Sequence, residues 1–146
     1  TPTVTGVIDV DLALDPKSYK GEVGDDLADL LNLNPIYFDF DMSFIREDAE
    51  LELQKVLSVL EDNPTMTIDI RSHTDSRGTA SYNERLSDRR AASTRNYLIS
   101  KGIDESRLTS KGYGESQLVN ECSDGVKCSE EQHQNNRRSE FIIISM

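Results

Sequence analysis

Apolar positions along this chain recur with periods that change from segment to segment. Val7 to Leu14 alternates apolar and polar residues, which predicts a short strand. Asp25 to Leu31 is suited to one or two helical turns. Ile36-Tyr37-Phe38-Asp39-Phe40, aromatic and β-branched after Pro35, reads as a strand. Ala49, Leu53, Val56, Leu57 and Leu60 then fall on one face at 3.6 residues per turn, predicting a helix. Glu47 and Asp48 suit the positive end of its dipole, and Asn63-Pro64 stops it. Met66, Ile68 and Ile70 alternate with polar residues, as in a half-buried strand.

A turn follows at His73 to Gly78. A second helix is expected from Ser81, with Ser81-x-x-Glu84 as a capping box, through Leu86, Ala91, Thr94 and Leu98 to a stop at Gly102. Arg107 to Ser110 is a short strand candidate, broken by Gly112-Tyr113-Gly114. Residues 115–137 are polar and read as a long loop with room for a helical turn. Arg138 to Met146 ends in Phe-Ile-Ile-Ile, an almost continuous apolar strand that suits a central sheet position. The expected class is α+β, in the order β-α-β-α-β-loop-β, with helices packed on one face of a mixed sheet. Residues 1–33 read as a linker or lead-in, the end of a preceding module, and 34–146 as the domain proper.

Composition narrows the function. The chain has 146 residues, 36% of them apolar, and a formal net charge of -11. Such a chain lacks the basic footprint that nucleic-acid binding requires, so no nucleic-acid partner is expected. No apolar run approaches the roughly 20 residues of a membrane helix. Thr1 is not a native start, so the chain reads as a piece of a longer protein, with any membrane anchor in the missing part. Cys122 and Cys128, with five residues between them, are too widely spaced for a zinc ligand pair, and no second pair exists. A local disulfide in an oxidising compartment is the better reading; two free thiols in a reducing one is the alternative. No metal and no cofactor are expected.

Five sequence features, in order, resemble the OmpA-like peptidoglycan-binding domain shared by OmpA C-terminal regions, Pal lipoproteins and MotB-type stators. They are Ile36-Tyr37-Phe38-Asp39-Phe40-Asp41, His73-Thr74-Asp75-x-x-Gly78, Tyr82-Asn83-x-x-Leu86-Ser87-x-x-Arg90-Ala91, Gly112-Tyr113-Gly114-Glu115 and Asn136-Arg137-Arg138-Ser139-Glu140. Together they span about three quarters of the chain. The loop around the two cysteines resembles that of Bacteroidetes outer-membrane proteins. The resemblance implies a periplasmic domain of an outer-membrane-associated protein. Its expected role is to bind the diaminopimelate of the peptidoglycan stem peptide without covalent chemistry, anchoring the outer membrane to the cell wall.

Diaminopimelate carries an ammonium and a carboxylate at its far end, so a binder needs one anionic and one cationic partner held close. Asp75 matches the family aspartate that takes the ammonium, and Arg90 the family arginine that takes the carboxylate. Asp41, Thr74, Asn83, Leu86 and Arg137 are secondary ligand-binding candidates. Each leading residue also has a plainer reading. Asp75 is equally suited to bonding backbone N–H groups in its turn, and Arg90 to pairing with Glu84 or Asp88 on the helix surface. Plain core packing competes for Leu86. An enzyme would need a zinc site, a nucleophile with its base, or paired carboxylates in a cleft. Two histidines without metal spacing offer little toward that, and Asp9-x-Asp11 and Asp39-x-Asp41 lack the spacing of a calcium loop.

Overall fold

The computed structural model describes residues 7–11, 18–39 and 42–146. An antiparallel hairpin opens it, β1 (Val7–Asp11) against β2 (Ser18–Glu22), with Val7 opposite Glu22. One short helix follows, α1 (Leu27–Leu30), then α2 (Glu47–Asp62), β3 (Thr67–His73), α3 (Ala80–Ser100), β4 (Leu108–Gly114), α4 (Glu130–Asn136) and β5 (Arg138–Ser145). The main sheet has the order β4-β3-β5, with β4 parallel and β5 antiparallel to the central β3. It is a mixed sheet in an α+β fold.

The core forms where the predicted periodicities meet. Ala49, Leu53, Val56 and Leu60 of α2 are buried as expected, and Val59 joins them. They share one cluster with Ile68 and Ile70 of β3, Leu108 of β4, and Phe141 and Ile143 of β5. Leu27 and Leu31 belong to the same cluster, so the segment before α2 contributes to this core. The Arg107 guanidinium ties the α2–β3 connection by donating to the carbonyls of Leu60, Asn63 and Met66.

Several element expectations are corrected. Residues 36–39 form no strand. The Asp39 carbonyl accepts from Met42 N–H and from Arg90, and the β5 edge is already taken: Ile143 N–H donates to Asp25 O and Phe141 N–H to the Asp26 carboxylate. For the same reason β5 is not central. It is an edge strand whose outer side is bridged by Asp26 at Ile142. Helix α3 starts earlier than Ser81, because the Thr79 hydroxyl accepts from Tyr82 N–H and caps it there. The polar stretch before β5 contains a full helix, α4, capped by a reciprocal Ser129–Gln132 box.

Gly112-Tyr113-Gly114 does not break β4 but lies within it. These glycines let α3 lie directly on the strand. A Cβ at Gly112 would stand 2.1 Å from the Asp88 backbone nitrogen, and one at Gly114 2.9 Å from that of Glu84. The contact is locked by Gly112 N–H donating to the Asp88 carboxylate and Gly114 N–H to the Ser87 hydroxyl, at 2.7 and 2.9 Å. This close approach fixes the first half of α3 against the end of β4. Cys122 and Cys128 form a disulfide in the loop between β4 and α4. Among the described residues no helix is long and apolar enough to cross a membrane.

Candidate functional site

The chain leaves β3 at His73 and turns through residues 74–79 into α3. Thr74, Asp75, Ser76, Arg77 and Thr79 of this turn each have a structural bond. Thr74 N–H donates to Gly114 O, and the Thr74 hydroxyl to Asp75 O. The Ser76 hydroxyl donates to Cys122 O at 2.5 Å, joining the turn to the disulfide loop. Asn83, buried on the first turn of α3, donates its amide to the carbonyls of Asp75 and Arg77 and to the Glu115 carboxylate.

Within this frame the Asp75 side chain is only 8% exposed. Its Oδ1 accepts from Arg77 N–H at 2.9 Å. Its Oδ2 accepts from Arg77 Nη2 at 2.8 Å and from Arg137 Nη1 at 2.5 Å. The plainer reading of Asp75, as a residue bonding its own turn, therefore holds alongside any ligand role. Burial pushes its carboxyl up, but the bonds from Arg77 and Arg137 outweigh burial and lower the pKa to about 2. Asp75 is a carboxylate at any physiological pH.

Arg90 lies on α3, seven residues beyond Asn83 and four beyond Leu86, so the three share one helix face. Its Nε donates to Met42 O at 3.0 Å and its Nη2 to Asp39 O at 3.3 Å. The guanidinium carbon stands 4.9 Å from the centre of the Phe38 ring. Arg90 thus holds the chain segment that runs into α2.

One hollow of about 500 Å³ is lined by both Asp75 and Arg90. Thr74, Asn83, Leu86 and Arg137 line it as well, so six of the seven predicted ligand residues surround a single space. The seventh, Asp41, lies outside the described residues. Arg137 arrives because the β3–β5 register sets Arg138 opposite His73, which brings its neighbour beside the turn. Three further lining residues, Phe38, Arg77 and Tyr82, had no ligand role in the sequence reading. Arg77 was detectable in principle, since a residue two positions after a turn aspartate is placed to bond it.

Outside the hollow, His73 Nε2 meets Glu140 Oε1 at 2.5 Å, and its ring stacks on Tyr113. Burial lowers the His73 pKa. It is a strand-end histidine paired through Nε2, whereas its buried Nδ1 has no hydrogen-bond partner among the described residues. Among the described residues no three His, Cys, Asp or Glu side chains are grouped to hold a metal.

Comparison with known proteins places these features in one class. The OmpA family model matches residues 37–132, and the chain belongs to the OmpA family. The peptidoglycan-associated lipoprotein of Brucella melitensis is 42% identical over 87 residues, which cover 60% of this chain and 52% of that protein. The chain therefore matches about half the length of that relative. A 110-residue match at 40% identity falls in photosystem I P700 chlorophyll a apoprotein A2 of Gloeobacter violaceus, covering 74% of this chain but 12% of that protein. Among solved structures, the peptidoglycan-associated lipoprotein from Burkholderia pseudomallei superposes with a TM-score of 0.65 at 27% identity, covering 77% of this chain and 92% of that one.

Proposed function

We propose that this domain binds peptidoglycan non-covalently by gripping the far end of diaminopimelate in the stem peptide. It acts in the periplasm and fastens an outer-membrane-associated parent protein to the cell wall. The observation that carries this reading is the shared hollow: a buried carboxylate and a guanidinium line one space on a rigid strand-to-helix junction. Membership of the OmpA family, and relatives named as peptidoglycan-associated lipoproteins, support it.

The chemistry is complementary. A carboxylate offers about four acceptor positions. Asp75 uses three, for Arg77 N–H, Arg77 Nη2 and Arg137 Nη1. The remaining position on Oδ1 takes the diaminopimelate ammonium without displacing either arginine. Arg90 supplies a planar fork for the adjacent carboxylate. Leu86 and Phe38 offer the apolar flank for the methylene chain between the two ends of the ligand. The role proposed is that of a binder, since the lining supplies charge-assisted hydrogen bonds suited to a zwitterion.

The test is co-sedimentation with purified sacculi of two kinds. Diaminopimelate-type walls should retain the domain, and lysine-type walls, which lack the distal carboxylate, should retain it about tenfold less. Equal retention by both would remove the role given to Arg90.

A further inference from the structure

Among the described lining residues of the hollow, Arg77, Arg90 and Arg137 bring guanidiniums to the space that holds the carboxylate of Asp75.

Arg77 and Arg137 are each shared between two carboxylates. Both give one nitrogen to Asp75, as described above. The other nitrogens converge on Glu130: Arg77 Nη1 donates to Oε2 at 2.9 Å, and Arg137 Nη2 to Oε1 at 2.6 Å. One carboxylate therefore spans two arginines, one oxygen on each, as a guest carboxylate would in an arginine clamp. Its owner faces solvent. Glu130 is the first residue of the short helix α4, and its side chain is 67% exposed. Solvent-exposed ion pairs of this kind contribute little, so the occupant exchanges readily.

We infer that Arg77 and Arg137 form a second carboxylate subsite beside the Asp75–Arg90 grip, held by Glu130 in the free protein and taken over by a further free carboxylate of the stem peptide. The inference rests on the reading that diaminopimelate enters this hollow. Two stem carboxylates have the right chemistry: the α-carboxylate of the glutamate that precedes diaminopimelate, and the near-end carboxylate of diaminopimelate when no residue follows it. In either case Asp75 keeps its arginine bonds, because the subsite uses the opposite nitrogens. The domain would then read the amidation state of the wall as well as its diaminopimelate.

The experiment is calorimetric titration of the whole chain with three soluble stem tripeptides. One has both carboxylates free, one is amidated at glutamate, and one is amidated at the near end of diaminopimelate. The wild type should bind the free acid about tenfold more tightly than one of the two amides, and that amide identifies the source. Arg77→Gln should bring the ratio close to one. Glu130→Gln should strengthen binding of the free acid several-fold, because the internal rival is neutralised, and should widen the ratio. Equal affinity for all three peptides would overturn the subsite while leaving the Asp75–Arg90 grip intact. Weaker binding of the free acid by Glu130→Gln would also overturn it, since Glu130 would then be positioning the arginines rather than competing for them. Failure of every peptide to bind would remove both readings together.

Discussion

The Asp75 side of the hollow and the Arg90 side are built in different ways. Around Asp75 the side chain is almost fully covered, and its turn is tied to β4, to α3 and to the disulfide loop by bonds from Thr74, Asn83 and Ser76. Around Arg90 the guanidinium is partly exposed and reaches the carbonyls of Asp39 and Met42, two residues outside any helix or strand. One wall is a buried charge whose geometry the fold sets in several ways. The other is a long side chain organised by the segment it holds. A site of this kind pre-forms its anion and lets its cation adjust, which reduces the ordering cost of binding on one side only.

Breaking each wall in turn separates the two roles. Asp75→Ala and Arg90→Ala should each lose roughly 2–5 kcal/mol of binding to diaminopimelate-type sacculi, because each leaves a ligand charge unpaired. Asp75→Ala should also lower the melting temperature, since Arg77 and Arg137 lose their shared acceptor. Arg90→Ala should leave the melting temperature close to wild type and instead raise amide exchange in residues 36–45. A melting temperature lowered equally by both would contradict the contrast.

A smaller effect is expected from behind the site. Gly112→Ala places a methyl group against the α3 backbone and should cost about 3 kcal/mol of stability, read by denaturant unfolding. Binding should weaken with it, because α3 carries Asn83, Leu86 and Arg90. Unfolding indistinguishable from wild type would show that α3 can slide on β4 without loss.

Acid should reveal the smallest effect, confined to the Asp75 wall. The folded pKa of Asp75, about 2, lies below its ordinary value of 3.8, so its stabilisation is present above about 3.8 and lost as pH falls through about 2. The contribution is about 2 kcal/mol at neutral pH. The stability gap between wild type and Asp75→Asn should therefore close between pH 4 and pH 2. A gap that persists unchanged at pH 2 would assign the stabilisation to something other than charge.

The sequence made local periodicities legible and long-range pairing much less so. The buried face of α2 and the alternation of β3 followed from spacing alone, since each depends on one element's own geometry. Asp75, Arg90 and their neighbours were found through motif resemblance, which carries three-dimensional information that spacing lacks. The strand expected at residues 36–40 is absent over its described residues, 36–39, because strand formation depends on a free edge, and the chain fills that edge from residues 24–26. β5 was misplaced for the same reason. The glycines at 112 and 114 were read as a break, whereas their requirement is set by a helix that crosses them from 24 or more residues away in sequence. Arg77 was passed over because its second partner, Glu130, is 53 positions distant.

The contact of Gly24 to Asp26 with β5 has a consequence for how the domain keeps to itself. A rim strand with unused amide groups is a template on which a neighbouring molecule can lay its own backbone. Here the amides of Phe141 and Ile143 are already occupied from within the same chain. The short stretch ahead of the family match thus acts as a stopper along that rim of the sheet.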